Sequence, residues 1–529
     1  MKSAKLDIGQ LEVHSLEVPY VSDPTDLYHT VCGDKPFSLL LESAEVESKQ
    51  NLQSWMLVDA AVRIVCFDKN VTLEALSANG HHVLDTIESH IQAPLAFNKT
   101  ADTLTIIFPE INQQLDEDSR LKQPSTFDAL RMIQSAFDVE GMPHEALFFG
   151  GLFAYDLVAG FEDLGDAQTT NRCPDYLFYI AETLLVIVHQ KEQGHLQGTL
   201  FGGDNYADNY AELCQRLQEI KESCMTPLTL PAATPLASCE PVASVSDKDF
   251  CQTVVDLKKY VVSGDIFQVV PSRRFTLPCP SPLAAYKELK IGNPSPYMFF
   301  LKDSQFTLFG ASPESALKYS VNSNQVEIYP IAGTRHRGKN SDGSINNDLD
   351  GRLELDLRCD VKEQAEHMML VDLARNDVAR ISQAGTRHVA DLLKVDRYSH
   401  VMHLVSRVVG QLRVDLDALH AYQACMNMGT LTGAPKIRAM QLIRDVEKTR
   451  RGSYGGAVGY LTGRGDMDTC IVIRAAYVED DVAQVQAGAG VVYDSIPQAE
   501  ADETRGKAQA VISAIQKAHL APSSKQEIK

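Results

Sequence analysis

Two Glu-x-x-Glu pairs constrain the fold of this 529-residue chain more than any other feature of its sequence. Glu363 and Glu366 stand in DVKEQAEH, and Glu500 and Glu503 stand in PQAEADETRGKA. Residues three positions apart share one face of a helix, so each pair predicts an acidic helix face. The apolar run MMLVDLA follows the first pair and indicates a half-buried helix. Buried carboxylates must be neutralised or paired, and a hard cation is one way to do so.

The composition of these pairs favours Mg²⁺ over zinc as that cation. Mg²⁺ prefers a few carboxylate oxygens together with water and substrate oxygens. A ligand set without His or Cys disfavours zinc. The alternative is that each pair is only a solvated helix face, and the residues alone leave that alternative open.

Strand and helix patterns are mixed along the chain. Residues 325–330 (QVEIYP) alternate like a strand and lead into a loop, IAGTRHRG, and residues 469–478 form one strand-like run. Residues 346–380 are rich in Leu, Glu and Ala and lack Pro, which favours a helix. Segregated helices and antiparallel strands together predict an α+β fold.

Residues 225–245, dense in Pro, Ala, Ser and Thr, are the candidate domain boundary. This segment divides the chain into an N-terminal region at 1–224, a linker or insert at 225–245, a catalytic domain at 246–520 and a flexible tail at 521–529. The motifs that carry chemistry become dense after residue 247.

The formal net charge of −21 argues against nucleic acid, an anionic membrane or any anion held by bulk attraction. An anionic substrate would therefore need a local basic pocket. The eleven cysteines include no C-x-x-C pair, which is typical of thiols in a reducing compartment and offers no zinc site. No signal-like or membrane-spanning apolar run is present, so a cytoplasmic protein is predicted.

Six segments, in order, resemble the chorismate-utilising enzymes and specifically the component I (large subunit) family of anthranilate synthases. They are PIAGTRHRG (330–338), DVKEQAEHMMLVDLARNDVAR (360–380), YSHVMHLVS (398–406), GTLTGAPK (429–436), GSYGGAVGY (452–460) and AGAGVVYDS (487–495). The resemblance implies large antiparallel sheets packed face to face and flanked by helices, with the N-terminal part contributing a regulatory region.

The resemblance also implies a metal and substrate site. Glu366 and Glu503 would be direct Mg²⁺ ligands, and Glu363 and Glu500 would complete the site directly or through water. The cation would hold the C1 carboxylate of chorismate, which meets the need for local positive charge. Contacts to chorismate are implied for Gly333, Thr334, Tyr454, Arg474, Gly488, Ala489, Gly490 and Lys507.

The residue types at these positions also suit contact with a ligand for physical reasons. The glycines let a backbone approach a ligand closely, and Arg474 is suited to bidentate carboxylate recognition. The alternatives are tight turns or strand bulges for the glycines, and a structural ion pair for Arg474.

Three further residues resemble the family's catalytic groups. Glu314, after Ala-Ser-Pro, would be the general acid for the departing C4 hydroxyl, which requires a carboxyl kept protonated near neutral pH. His403 would remove the C2 proton as pyruvate is eliminated, and Thr430 would lie nearby. A lone histidine in an apolar segment is otherwise more often a core residue.

Two positions narrow the reaction. Relatives that add water to chorismate carry a lysine where this chain has Gln268, and glutamine cannot deprotonate water. Relatives that make 4-amino-4-deoxychorismate carry a nucleophilic lysine at the position of Ala332. The implied reaction is therefore amination at C2 and elimination of pyruvate to give anthranilate. The alternatives are 4-amino-4-deoxychorismate synthase component I and a catalytically silent tryptophan-binding subunit.

The segments LLES (40–43) and NPSPYMFF (293–300) resemble the family's feedback site for L-tryptophan. Ser43, Pro296, Tyr297 and Met298 are the implied contacts, although such apolar residues are ordinarily core packing. No cysteine stands in the Gly-flanked setting of a glutamine amidotransferase nucleophile, so ammonia is predicted to come from a separate amidotransferase subunit. The family's large subunits often form a heterotetramer of two large and two small subunits.

Overall fold

The structure is a computed structural model that describes residues 6–43, 53–398 and 401–520. The predicted tail at 521–529 lies outside the described residues. Within those ranges, none of the helices has both the length and the apolar character needed to cross a membrane.

The described residues form 24 strands, and every ladder between two of these strands is antiparallel. The strands are β1 (Leu6–Val18), β2 (Ser38–Glu42), β3 (Gln53–Phe67), β4 (Asn70–Ala75), β5 (Ala96–Lys99), β6 (Thr103–Ile107), β7 (Phe148–Phe153), β8 (Tyr176–Val188), β9 (Gln193–Gly203), β10 (Val242–Ala243), β11 (Gln268–Val269), β12 (Ser272–Pro278), β13 (Tyr297–Lys302), β14 (Thr307–Ser312), β15 (Ser315–Ser320), β16 (Gln325–Ile328), β17 (Ile331–His336), β18 (His388–Arg397), β19 (Val401–Gln411), β20 (Gly433–Ala434), β21 (Ala457–Thr462), β22 (Met467–Ile471), β23 (Ala475–Glu479) and β24 (Val482–Gly488).

Thirteen α-helices occur in the same described ranges. They are α1 (Pro24–Val31), α2 (Ala78–His90), α3 (Glu117–Leu121), α4 (Asp128–Ala136), α5 (Tyr206–Met225), α6 (Asp247–Val262), α7 (Pro282–Gly292), α8 (Asn347–Cys359), α9 (Val361–Ile381), α10 (Ala418–Cys425), α11 (Gly429–Thr432), α12 (Lys436–Glu447) and α13 (Pro497–Ala518).

The long strands β3 and β8 form the corner between two sheets. The first sheet runs β10–β12–β24–β23–β14–β13–β2 and continues through β3 and β8 to β9 and β1. The second runs β5–β6–β4 and continues through β3 and β8 to β7, β21, β22, β15, β16 and β19, with β17 and β18 on β19. The register of β3 against β8 shifts between Leu57 and Val62, where one sheet gives way to the other.

Apolar side chains pack between the two sheets, and helices cover their outer faces. The inner layer joins Leu39 and Phe299 of the first sheet to Leu152 and Val458 of the second. On the outside, α1, α5, α7 and α13 pack on the first sheet, and α2, α4, α9 and α10 pack on the second. The predicted α+β fold, with antiparallel sheets packed face to face and flanked by helices, is confirmed.

Three local predictions were wrong in detail. The predicted strand at 469–478 is two strands, β22 and β23, because Arg474 adopts a left-handed backbone conformation with φ of 50°. The segment IAGTRHRG, predicted as a loop, begins with strand β17, which pairs with β19. The predicted helix at 346–380 is two helices, because Asp360 leaves the helical conformation and caps α9.

The segment predicted as a linker follows the end of α5 and contains only the short strand β10. It is bound to the rest of the molecule: Leu228 accepts and donates hydrogen bonds with Thr30 on α1, and the Leu236 amide donates to the His519 carbonyl at 3.0 Å. In each sheet, a strand that precedes this segment in the sequence pairs with a strand that follows it: β2 pairs with β13, and β7 pairs with β21. The domain division remains a prediction.

Candidate active site

The two acidic pairs lie on α9 and α13, which belong to the helix layers of different sheets. Asp360 caps α9 by accepting hydrogen bonds from the amides of Lys362 and Glu363, so the first pair sits in the first turns of the helix. A proline at its first position starts α13 just before Glu500. The predicted helical placement of both pairs is confirmed.

The carboxylates of the two helices are close enough to act on one another. Burial raises the pKa of Glu366, and the charges of Glu363 and Glu503 raise it further, against the opposing charge of Lys507. Burial and the charge of Glu503 likewise raise the pKa of Glu500, against the hydrogen bond from Ser495. Like charges are therefore concentrated between the acidic faces of the two helices.

Cations and an amide partly compensate this acidic cluster. Lys507 Nζ lies 2.6 Å from Glu503 Oε1, and Arg335 Nη1 lies 3.2 Å from Glu363 Oε1. The Gln268 side-chain amide donates to Glu366 Oε1 at 3.0 Å. No group of three or more His, Cys, Asp or Glu side chains within 6–43, 53–398 and 401–520 is already arranged as a metal cage.

These residues fit Mg²⁺ rather than a metal that demands a closed protein cage. The donors are carboxylate oxygens from two helices, and Mg²⁺ is commonly held by one or two carboxylates with water and substrate oxygens. Burial is the main cause of the raised pKa of Glu366, so ionising this carboxyl beside Glu363 and Glu503 is unfavourable without a further positive charge. A divalent cation would supply the missing charge.

Close approaches bring the segment 488–490 against Gln268, Pro271 and Tyr454, beside the acidic helices. A side-chain carbon added at Gly490 would lie 2.7 Å from the Gln268 amide nitrogen, and one at Gly488 would lie 2.8 Å from the Pro271 carbonyl oxygen and 3.0 Å from the Tyr454 hydroxyl. Lys507 Nζ donates to the Gly488 carbonyl at 3.1 Å. A side chain at position 488 would therefore meet fixed backbone, whereas one at position 490 would have to displace the Gln268 amide; Ala489 between them is fully buried.

Arg474 lies at the centre of this cluster. Its positive charge acts on the titration of Glu314, His403 and Tyr454, which places all three around one guanidinium. Desolvation lowers the pKa of Arg474 itself. Among the described residues Arg474 makes no ion pair, so a structural ion pair, the alternative role for this arginine, is not found there. Its N–H groups can therefore donate to a carboxylate of a ligand.

The environment of Glu314 suits a carboxyl group that must stay protonated near neutral pH. It stands between β14 and β15, and its side chain is buried. Burial raises the pKa of its carboxyl to about 8, against the opposing influence of Thr430, Lys507 and Arg474. At neutral pH Glu314 therefore carries a proton that it can donate. The buried Thr430 hydroxyl lies next to this carboxyl, and its hydrogen bond to the ionised form of Glu314 opposes the rise in pKa.

His403 lies on β19 directly opposite Thr334 of β17. Its Nδ1 is 2.9 Å from the Thr334 hydroxyl, which orients the ring. Burial, together with Arg474, lowers the pKa of His403 to about 4, against a hydrogen bond to the Gly333 backbone. The imidazole is neutral at physiological pH and can accept a proton. Gly333 has φ of 83° at a bulge in β17. The strand bulge that was the alternative explanation for a glycine at this position is therefore present.

A second cavity, of about 640 Å³, contains the four residues predicted to contact tryptophan. Ser43, Pro296, Tyr297 and Met298 all line it. They meet because β2 pairs with β13 and aligns Glu42 with Met298, although the two strands lie far apart in sequence. The volume is in the usual range for small-molecule sites, roughly 300–1,000 Å³.

Three residues of these sites were missed by the sequence analysis. Trp55 and Glu42 line the second cavity, where Glu42 accepts a hydrogen bond from Tyr286 and pairs with Lys290 at 2.6 Å. Arg451 is buried beneath Tyr454, and it donates to the carbonyls of Leu431 at 2.8 Å and Val270 at 2.7 Å. Arg451 lies beyond the end of α12, so its ion pair with Glu447 had no helical-spacing signal in the sequence.

Comparisons with known proteins extend over both sheets and the whole site. A sequence model for the family described as chorismate binding enzyme matches residues 83–513. The anthranilate synthase component 1 of Vibrio parahaemolyticus is 67% identical over 519 residues, which cover 98% of this chain and 95% of that relative. The anthranilate synthase component 1 of Escherichia coli is 57% identical over 514 residues, which cover 97% and 98%.

A solved structure supports the same relationship. Anthranilate synthase component I from Streptococcus pneumoniae TIGR4 superposes with a TM-score of 0.65 and 29% sequence identity, and the match covers 87% of this chain and 92% of that one. The sequence matches span every candidate site residue from Glu314 to Lys507.

Proposed function

Because the chain belongs to the chorismate-binding enzymes, and within them to the anthranilate synthase component 1 family, we propose that it converts chorismate and ammonia to anthranilate and pyruvate with Mg²⁺, under feedback inhibition by L-tryptophan. The intermediate is 2-amino-2-deoxyisochorismate. The family membership supports the step from chorismate to anthranilate, and the metal, the residue roles and the regulation are the further parts of the proposal.

The observation that carries the proposed mechanism is the pairing of a protonated acid with a neutral base around one guanidinium. Glu314 keeps its proton because its pKa is raised to about 8, whereas His403 is neutral because its pKa is lowered to about 4. Arg474 acts on both. Two titratable groups whose environments push their pKa values apart are a recurrent signature of acid and base roles.

In the first half of the reaction, ammonia forms a bond to C2 of chorismate, the two ring double bonds shift towards C4, and the C4–O bond breaks, after which the new ammonium group loses a proton to solvent. Glu314 gives its proton to the C4 hydroxyl, which leaves as water. Arg474 and Lys507 hold carboxylates of the substrate, and the close backbone at Gly488 and Gly490 admits them. When bound at Glu366 and Glu503, with Glu363 and Glu500 beside them, Mg²⁺ supplies charge neutralisation and orientation of the C1 carboxylate.

In the second half, the ring becomes aromatic. His403 takes the proton from C2, the electrons of that bond form the C2=C3 double bond, and the C3–O bond breaks to release the enolate of pyruvate, which takes up a proton at carbon. Thr334 holds the imidazole through Nδ1 during this step. Elimination needs a neutral imidazole, and the lowered pKa of His403 supplies it.

Two residues argue against the alternative reactions. Ala332 on β17 has no amine with which to form the covalent bond expected of a 4-amino-4-deoxychorismate synthase. The side chain of Gln268, at the position of a general-base lysine in water-adding relatives, is bound to Glu366. A catalytically silent subunit would have no need of Glu314 and His403 with opposite pKa shifts.

The test of this function is to mix the purified chain with chorismate, Mg²⁺ and ammonium and to follow anthranilate fluorescence. Anthranilate that forms only with Mg²⁺ supports the proposal. Chorismate consumption without anthranilate would replace it with an aminodeoxychorismate or isochorismate reaction. No consumption, with ammonia supplied directly, would favour the silent subunit.

The pH dependence of the reaction follows from the same two groups. We expect kcat/KM for chorismate, measured at a fixed saturating concentration of free ammonia, to fall as pH rises through about 8, because Glu314 then loses its proton. Protonation of His403 is not expected to lower kcat/KM until the pH falls to about 4. A kcat/KM that stays flat to pH 10 would remove Glu314 as the acid.

The cavity of about 640 Å³ supports the proposal that L-tryptophan binds between β2 and β13. It offers aromatic and apolar walls at Trp55, Tyr297 and Met298 and charged groups at its edge. An amphipathic amino acid with a large ring suits such a lining.

Ser43→Phe tests this site directly. The added ring would occupy space that the proposal assigns to tryptophan, so we expect the tryptophan concentration for half-inhibition to rise at least about tenfold. Unchanged inhibition by tryptophan in this variant would place the regulatory site elsewhere.

Ammonia is proposed to reach the site from a separate glutamine amidotransferase subunit, in an assembly of two large and two small subunits. The component 1 designation of the relatives implies a second component. The isolated chain is accordingly expected to use ammonium but not glutamine as the nitrogen source.

A further inference from the structure

The cavity proposed for tryptophan shares a wall with the candidate active site. Pro313 and Ser315 both line the cavity, and Glu314, the proposed acid, stands between them. Tyr398 lines the same cavity and packs against His403, the proposed base. An occupant of the cavity would thus be separated from each proton-transfer group by a single residue.

Tyr398 is the better placed of these two contacts to respond to an occupant. Its ring meets the His403 ring edge-on, with centroids 5.3 Å apart and an interplanar angle of 63°. Edge-to-face packing of this kind prefers a defined orientation of both rings. His403 is held on its other side by Thr334, so its orientation depends on both neighbours.

The main chain at Tyr398 is fixed, which leaves the side chain as the part that can move. Its amide donates to the Val401 carbonyl at 2.8 Å, and its carbonyl accepts from Arg337 at 2.6 Å. Arg337 is buried and paired with Asp350 at 2.9 Å. The turn at Glu314 is less adaptable, because the Glu314 carbonyl accepts from the Ile471 amide at 3.0 Å and ties it to the strand β22.

We propose that Tyr398 is a positioning residue that transmits occupancy of the cavity to His403, so that a bound aromatic amino acid turns the imidazole away from its catalytic orientation. This inference rests on the function proposed above. Tyr398 adds a regulatory connection that acts within one sheet, between β18 and β19. Because coupling is reciprocal, chorismate must weaken tryptophan binding by the same factor by which tryptophan weakens chorismate binding.

The test measures that coupling factor in the full-length protein and its variants. The dissociation constant of tryptophan is determined by calorimetry with Mg²⁺, without ammonia, in the absence and presence of saturating chorismate. We expect the parent to show a ratio of about 5 to 150, the usual range for allosteric coupling. In Tyr398→Met the ratio is expected to fall below about three, whatever the affinity of that variant for tryptophan without chorismate, because each ratio is taken against the variant's own affinity.

Tyr398→Phe is the matched control, because it keeps the ring and is expected to keep the parental ratio. Tyr398→Leu serves in place of the methionine variant if thermal unfolding shows that the latter is not folded. An unchanged ratio in the variants without the ring would overturn the inference. A parent that binds no tryptophan overturns the proposed regulation itself, and the coupling with it.

Discussion

Replacing Glu314 with glutamine is expected to lower kcat for anthranilate formation by about 10²–10⁴-fold, the usual contribution of a general acid. Glutamine keeps the size of the side chain but has no proton to give to the departing C4 hydroxyl. The residual activity should lose the fall through about pH 8, because the group responsible for that fall is gone. The measurement is anthranilate fluorescence at saturating chorismate, Mg²⁺ and ammonia across pH 6 to 10.

Loss of folding is a poor explanation for that result. In the folded chain Glu314 keeps its proton to about pH 8, whereas an unfolded glutamate ionises near pH ~4.3. The unfolded state therefore gains stability relative to the folded state as pH rises between those values. Glutamine does not ionise, so the Glu314→Gln variant does not lose stability in this way as pH rises. Its free energy of unfolding at pH 8 should be no lower than that of the parent.

Glu327→Gln is a matched control for the same change. Glu327 lies on β16, where it accepts hydrogen bonds from Gln325 and Tyr329 and makes none with the proposed catalytic residues. Its variant should keep kcat within about threefold of the parent. If the activity of Glu314→Gln stayed within tenfold of the parent, another group would have to be the acid.

The sequence was sufficient to predict local features whose cause is local. Both Glu-x-x-Glu pairs lie on helices, because spacing and helix-forming neighbours are properties of the segment itself. The break at Arg474 could not be foreseen, since a left-handed non-glycine residue is imposed by its surroundings. The strand at Ile331–His336 also depends on a partner, β19, about seventy residues away in sequence.

The electrostatic state of the site could not be predicted from spacing. The carboxyl of Glu314 and the imidazole of His403 have opposite pKa shifts mainly because both are desolvated, and burial is a result of the tertiary fold. The sequence analysis could name the requirement for a protonated acid, but only packing shows how the chain meets it.

The regulatory cavity depends even more on long-range pairing. Ser43 and Met298 come together only through the ladder between β2 and β13. Resemblance to a family named both segments, but it did not identify Trp55 or Glu42 as contacts, although both line the same cavity. The position of Tyr398 between this cavity and His403 likewise has no signal in a single sequence.

Replacing Glu503 with glutamine is expected to reduce Mg²⁺-dependent turnover at least about 100-fold at a fixed, subsaturating Mg²⁺ concentration. Even residues behind a metal ligand typically contribute 10–100-fold, so a direct ligand should contribute no less. The charge of Glu503 acts on both Glu366 and Glu500, so its removal lowers the negative charge between the acidic faces of the two helices. The experiment is a titration of activity with Mg²⁺, and the apparent Mg²⁺ affinity should fall.

Asp502→Asn is the matched control, because it removes one carboxylate from the neighbouring position of the same helix. Asp502 is exposed and pairs with Arg505 rather than with Lys507. Its variant should retain the parental Mg²⁺ dependence, and both variants should bind tryptophan as the parent does, since the second cavity includes no residue of α13. If Glu503→Gln and Asp502→Asn behaved alike, the effect would come from the charge of the helix as a whole, and Glu503 would not be a metal ligand.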